Sequence, residues 1–525
     1  MEKLYNNIIL EDGFRNTPSN ANNVPYLKNP PEVIDITVGR QLFVDDFLIE
    51  ETSLSSEYHQ AKKYENNPVL APDMPWERET LPAAAPRDGG LWYDEEEKVF
   101  KIWYEGSLLK NMCYATSKDG INFDKKDLGI VKGTNIILPY DGYDEKIYFR
   151  DINYLRPDTT SIFFDPNDPV YKYKLCLKNP NNNKPAIVAK SKDGITFEDF
   201  HFTGQVAGDA TTMFYNPFRK KWVYSLRSYK KMEELAKGTN LTYHLGSERV
   251  RSYRECDDLI EGATWEDDDA KLWMHVDEFD KPNPYLNVKP QLYKVNCIAY
   301  ESIMLGFFQI HYGPENDECV KKGIPKITAL IPMYSRDGYH FSRPNRDPLI
   351  TSSFVKGSWD RGYVQSICGG LVICGDELRI YYTGCEGDET NTKQGSLEAM
   401  LSNGMYHNIS TGFATLRRDG FVSMNGNGEL LTRKLTLSNK NSLFVNVNGS
   451  IKAQILDETG NVIATSNLFN GDSTNAQLTF ESFDVSSLNG KVFRIKFLVD
   501  GKFYAFGFAD ENGDFNGAHG AGIVK

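Results

Sequence analysis

The 8 cysteines of this 525-residue chain include no Cys-x-x-Cys pair; they stand singly at 113, 176, 256, 297, 319, 368, 374 and 385. That spacing argues against a zinc ribbon or a disulfide frame and reads as reduced thiols in a core. The 8 histidines are equally scattered, with no His-x-x-His or His-Glu-x-x-His spacing, so no metal site and no cofactor is expected. No apolar run approaches the ~20 residues that a membrane helix needs. Residues 1–30 lack the charged start and apolar core of a signal peptide, so the expectation is a cytoplasmic protein, or a secreted or periplasmic one if a leader has been removed. Positive charge is in deficit: 59 Lys and Arg stand against 72 Asp and Glu, for a formal net charge of −13. Such a field repels phosphate backbones and argues against nucleic-acid partners.

Aromatic residues are plentiful. They make up 13% of the chain, and they favour strands. A length of 525 residues suggests two to four domains with a large core. A repeat organises most of that length. Ser117-Lys118-Asp119-Gly120-Ile121-Asn122-Phe123 recurs as Ser191-Lys192-Asp193-Gly194-Ile195-Thr196-Phe197 and as Ser335-Arg336-Asp337-Gly338-Tyr339-His340-Phe341. Degenerate copies occur at Cys256-Asp257-Asp258 and Arg418-Asp419-Gly420-Phe421, so the aspartates step by 74, 65, 79 and 82 residues. Asp-Gly supplies the positive φ of a tight turn, and the aromatic that follows covers the next strand.

A strand–turn–strand signal accompanies each copy. Leu91–Asp94 leads into Phe100–Tyr104, Ser161–Asp165 into Tyr171–Leu175, Met213–Pro217 into Lys221–Leu226, and Gly370–Ile373 into Leu378–Tyr382. A less regular copy runs from Tyr300 to Phe308. Five units of 65–82 residues with such hairpins describe an all-β fold, a five-bladed β-propeller. An array of β-sandwiches also spaces strands evenly, but it does not repeat one aromatic hairpin at this interval. After residue 425 Asn, Gly, Ser and Thr rise, and short strands such as Ser442–Val447, Ile451–Leu456, Val492–Phe497 and Phe503–Phe508 follow one another. The expected organisation is an extended arm over 1–35, the propeller over 36–425 and a small antiparallel β-sandwich over 426–525.

A propeller gathers the first strand of each blade around a central channel, so acids at the openings of these strands are candidates for chemistry. They are Asp88 in Arg87-Asp88-Gly89-Gly90, Asp151 in Phe149-Arg150-Asp151, Asp209 in Gly208-Asp209-Ala210, Glu301 after Tyr300, and Asp360 in Trp359-Asp360-Arg361. Glycosidic cleavage needs two or three such carboxyl groups, one to donate a proton and one to attack or to activate water. Glu301 stands in an apolar run from Cys297 to Phe308, where a charge is costly unless paired or functional.

These residues carry a family resemblance. The chain resembles the five-bladed glycosidase superfamily of invertases, levanases, arabinanases and β-xylosidases. Within it, the stretches Arg40–Glu50 and Gly412–Ser423 are similar to a bacterial group described as invertase-like glycosyl hydrolases. The resemblance implies a glycoside hydrolase acting on an oligosaccharide or polysaccharide. In those enzymes the nucleophilic Asp lies in an Asn-Asp-Pro-Asn-Gly-Leu turn, to which Arg87–Leu91 is similar. Their charge-stabilising acid lies in an Arg-Asp-Pro turn, to which Arg150-Asp151 is similar without the proline. Their proton donor is a third-blade Glu in a Glu-Cys turn, where this chain has Asp209, with Glu301 one blade later. The resulting expectation is Asp88 as nucleophile or base, Asp151 as stabilising acid, and Glu301 as proton donor with Asp209 as its substitute. Arg87, Trp92, Arg227, Trp359, Asp360 and Arg361 are expected to contact the sugar, since aromatics stack on sugar faces and arginines bind anionic groups. Arg87, Arg227 and Arg361 also keep a glycoside phosphorylase open, and the departure at the donor position keeps a non-catalytic sugar-binding propeller open.

Overall fold

The computed structural model describes residues 1–79, 81–138, 160–165, 167–177, 185–231, 247–266, 269–390 and 404–525. The fold is nearly all-β, with short helices such as Pro25–Lys28 and Asn316–Lys322. Residues 84–417 form successive antiparallel sets of strands. The first set is Ala84–Asp94, Val99–Gly106, Asn111–Ser117 and Ile136–Leu138. The second is Thr160–Phe164, Tyr173–Leu177, Pro185–Ser191 and Phe197–Val206. The third is Thr212–Asn216, Lys221–Lys231, Ser247–Cys256 and Lys271–Met274. The fourth is Gln291–Glu301, Ile303–Gly313, Ile327–Ser335 and Ile350–Thr351. The fifth is Gly362–Cys374, Glu377–Cys385 and Ile409–Arg417, completed by Lys62–Lys63 from the start of the chain.

The leading strands touch in a cycle: first to second, and so on to the fifth, which returns to the first. There Cys368 and Gly369 pair in parallel with Gly90 and Leu91. The hairpins fall where the sequence places them, with Leu91 opposite Ile102, Phe214 opposite Val223 and Leu371 opposite Ile380.

The repeated heptad is one turn built three times. Asp119 accepts from the backbone N–H groups of Ile121 and Asn122 at 2.8 Å, Asp193 from Ile195 and Thr196 at 2.8 Å, and Asp337 from Tyr339 and His340 at 2.9 and 2.8 Å. The glycine that follows each is left-handed, at φ 73°, 75° and 80°, which an L side chain resists. Each turn also receives a buried aromatic donor from a neighbouring set. Trp103 Nε1 donates to the Gly194 carbonyl at 2.6 Å, Tyr381 Oη to that of Gly120 at 2.9 Å, and Trp273 Nε1 to that of Tyr339 at 2.9 Å. A buried indole N–H or phenol needs such a partner, so the repeat marks the points where adjacent sets are fastened.

Beyond residue 421 the strands Val422–Thr432, Ser442–Asp457, Phe469–Leu478 and Phe493–Ala509 form a second unit. Gly426, Gly501, Gly449 and Gly471 align across these four strands, at φ 135°, 137°, 135° and 156°. A Cβ on Gly449 would lie 2.3 Å from the Asp500 carbonyl oxygen, so the strands leave ordinary β geometry together at this row.

The start of the chain differs from expectation. Residues 1–35 are not a loose arm: Leu4, Ile8, Val24, Tyr26 and Ile34 share a hydrophobic core with Leu443, Phe497 and Phe506. The strands of residues 36–58 pair with the second unit, Gln41–Leu42 with Phe493–Ala509 and Ile49–Thr52 and Ser55–Tyr58 with Val422–Thr432, while Leu42 and Val44 pack into the core of the first and Asp45 pairs with its Arg336. The C-terminal end crosses the other way, where His519 pairs with Tyr300 and Ile523 with Ile373.

Candidate active site

The leading strands of the first, fourth and fifth sets meet at one ammonium group. Lys294 is fully buried; its Nζ donates to the carbonyls of Arg87 at 2.7 Å and Ser366 at 2.6 Å and forms an ion pair with Asp88. Bulges aim these strands inward. Ala85 pairs with Glu105 and Gly90 with Trp103, so residues 86–89 loop out of the ladder, with Arg87 at φ 56°. The register also slips between Leu292 and Lys294, around Tyr293, and between Gly362 and Gln365, around Tyr363 at φ 52°. Bulges of this kind re-aim side chains at the ends of sheets.

Tyr293 and Tyr363 then meet hydroxyl to hydroxyl at 2.6 Å. The Lys326 ammonium lies 5.5 and 5.4 Å from their two ring centroids, and His311 stacks on Tyr293 at 5.7 Å. Burial alone would raise the Tyr293 phenol, but Lys326, Arg227 and Arg87 together with the Tyr363 hydrogen bond bring it down to about 7. Burial, with Lys326, Arg249 and Arg227, holds the His311 imidazole well below its usual range, so it is neutral. Lys326 is shifted upward: burial opposes its charge, but Tyr293 and Tyr406 outweigh that.

The third set supplies three of the six cations of this site. Arg227 stands directly opposite Arg251 and Tyr229 opposite Arg249, which puts three guanidinium groups and a phenol on one face of a hairpin. Arg227 forms an ion pair with Asp209. Arg251, fully buried, donates to the carbonyls of Ala210, at 2.7 Å, and of Tyr293. Burial and Arg227 both lower its tendency to hold a proton. Arg87 donates to both oxygens of buried Glu105 at 3.3 Å.

The structure therefore brings Asp88, Arg87, Asp209 and Arg227 into one neighbourhood: Tyr293 feels both Arg87 and Arg227, and Arg251 feels both Arg227 and Asp88. Asp151 lies outside the described residues. Other expected residues are elsewhere. Glu301 ends the strand that carries Lys294, seven residues on, which is about 23 Å of strand. It accepts from Arg418 and from the Arg40 backbone N–H, each at 3.1 Å, against the close backbones of Gly39 and Gly517. The cost of burying this carboxylate is met by a fixed clamp between the two units, so Glu301 is not the proton donor beside Asp88. Trp92 is also structural, donating to the Ile162 carbonyl at 3.0 Å and packing on Phe163. Asp360 accepts from Lys63 at 2.6 Å and from Tyr382 at 3.0 Å, fastening the returning strand Lys62–Lys63. The Trp359 ring packs on Tyr382. Arg361 is paired with Glu389.

The residues missed in the sequence are Tyr293, Lys294, His311, Lys326 and Tyr363. Lys294 and Lys326 each interrupt an apolar strand signal, the same feature that drew notice to Glu301. Among the described residues no group of three or more His, Cys, Asp or Glu side chains could hold a metal ion, and no helix is long and apolar enough to cross a membrane.

No protein-family model matches the chain, and no curated protein matches it. Solved structures are similar at low identity. An N-acetylgalactosamine deacetylase from F. plautii, in complex with blood group B trisaccharide, is 13% identical over 70% of this chain and 96% of its own, with a TM-score of 0.40. A thermostable family-43 glycoside hydrolase is 10% identical over 66% and 94%, also at 0.40. A β-1,2-mannobiose phosphorylase from Listeria innocua is 12% identical over 69% and 98%, again at 0.40. Likeness at this level assigns no activity.

Proposed function

We propose that the chain is a glycoside hydrolase that works where the leading strands converge, on a five-bladed β-propeller of the invertase-like kind backed by a C-terminal β-sandwich. The observation that carries this reading is the meeting of the Asp88 carboxylate with Asp209, Arg87 and Arg227 at that convergence. Asp88 is the nucleophile or base, fixed by Lys294. Asp209 is the proton donor, released from Arg227 when substrate enters, and Asp151 is the stabilising acid. The buried surroundings of Asp88 and Lys294 strengthen their pairing relative to water.

A second reading, phosphorolysis, is favoured by the surplus of cations: Arg249, Arg251 and Lys326 have no carboxylate ion pair among the described residues. Product release from furanosides, pyranosides and uronic-acid oligosaccharides, each with and without phosphate, tests both. Turnover lost in Asp88→Asn supports the assignment, and a strict phosphate requirement selects phosphorolysis. Turnover that survives Asp88→Asn sinks the placement of the site. Sugar binding without turnover of any substrate leaves a binding protein.

A further inference from the structure

Among the described residues the cations around Tyr293 outnumber the carboxylates that pair with them. Three cations there have carboxylate partners: Lys294 with Asp88, Arg87 with Glu105 and Arg227 with Asp209. Three others, Arg249, Arg251 and Lys326, have no such partner among the described residues. Arg251 is spent on two backbone carbonyls. Arg249 makes a single 2.5 Å hydrogen bond to the Gln291 amide. Lys326 is 6% exposed, with the rings of Tyr293 and Tyr363 against its ammonium and Tyr406 and Arg249 near it. Beside them the His311 Nε2 is buried with no hydrogen-bond partner. Like charges directly opposite on paired strands, as Arg227 and Arg251 are, cost stability, and a buried ammonium without an anion costs more.

We propose that Lys326, Arg249 and the Tyr293 hydroxyl form a receptor for an oxyanion: a carboxylate on the sugar substrate itself, or inorganic phosphate. A group with two or more charged oxygens satisfies several such donors at once and supplies the charge they lack. This deepens the reading of the site as sugar-directed and rests on it. Without a bound oxyanion, an ionised Tyr293 is the nearest counter-charge for Lys326 among the described residues. An arriving oxyanion takes over that role, and Tyr293 regains its proton. The groups facing Tyr293 are Lys326 and His311 from the rest of its own set, Arg227 and Arg251 from the third, Arg87 from the first, and Tyr363 from the fifth, with Tyr406 beyond it. Lys294 and its partner Asp88 are also close; among the described residues the charged groups that bear most strongly on Tyr293 are cations, so an incoming anion is the change that Tyr293 senses.

The test uses calorimetry on the whole chain with three probes: inorganic phosphate, glucuronate and, as the neutral control, glucose. At pH 8, binding of phosphate or glucuronate is expected to take up a proton and to reduce the tyrosinate absorbance, and Tyr293→Phe is expected to abolish both signals. Lys326→Met is expected to weaken binding by at least about tenfold, and Arg249→Gln, at a partly exposed position, by a similar factor. Phosphate binding accompanied by phosphate-dependent turnover identifies phosphate as co-substrate. Glucuronate binding alone identifies an acidic sugar. The proposal is overturned if neither anion binds, or if binding is unchanged in both cation variants. Because binding is read without turnover, neutral oligosaccharides cleaved in an Asp88-dependent way with no anion bound would leave the glycosidase reading standing and remove only the receptor. Bound anion with no glycoside cleaved would do the reverse.

Discussion

Two of the acids buried along the inner strands have opposite settings. Glu301, 2% exposed, is saturated: Arg418 and the Arg40 backbone occupy its two oxygens, and glycines close around it. Asp88, 3% exposed, lies among more positive charge than the local acids balance, between Lys294 and the guanidinium groups of the third set. Burial alone therefore does not mark a reacting group. A carboxylate whose partners are all fixed is a fastening, whereas one in an unbalanced field has interactions left for a ligand.

The sharpest break of this comparison is Asp88→Asn, which is expected to lower kcat by roughly 10²–10⁴-fold, measured on whichever substrate turns over. Lys294→Met should come next: leaving the Asp88 carboxylate buried and unpaired is expected to cost about 3–5 kcal/mol in denaturant unfolding. Glu301→Gln should lose about 1–3 kcal/mol of stability while the activity of the folded fraction stays unchanged. A large fall in kcat there would return Glu301 to the chemistry. The smallest effect concerns pH. Because Tyr293 is brought down from the ordinary 10 to about 7, its ionisation stabilises the folded state above pH 10 and that contribution fades as pH falls through 7. The stability advantage of wild type over Tyr293→Phe should therefore grow between pH 7 and pH 10, read from melting curves across that range.

Much of the fold is legible because it is local. The Ser-x-Asp-Gly turns and the hairpins either side of Asp94 or Asn216 are written within about ten residues, in residue types whose φ preferences and hydrogen bonding leave few alternatives. The first 58 residues hide their structure for the opposite reason. Their strands are two to four residues long, too short for a period, and their partners lie nearly four hundred residues away. The site divides in the same way. Arg87 and Asp88 are visible because Gly89 and Gly90 announce a bulge, but the bulges around Tyr293 and Tyr363 contain no glycine or proline at the displaced residue. Trp92, Trp359 and Asp360 have the composition of a sugar site. In space they are fasteners, because an aromatic donor or a buried acid serves a backbone carbonyl or a lysine equally well.

The pairing of the first 58 residues with strands 422–509 also governs when the molecule can be finished. During synthesis residues 41–58 are made before the five strand sets while their partners are made after them, and Lys62–Lys63 must likewise wait for Ala414 and Thr415 before the fifth set is complete. Domains ordinarily fold from the N-terminal end as they are made. Here residues 41–58, with Phe43, Val44 and Phe47 among them, stay without their strand partners until Val422–Thr432 and Phe493–Ala509 have been made.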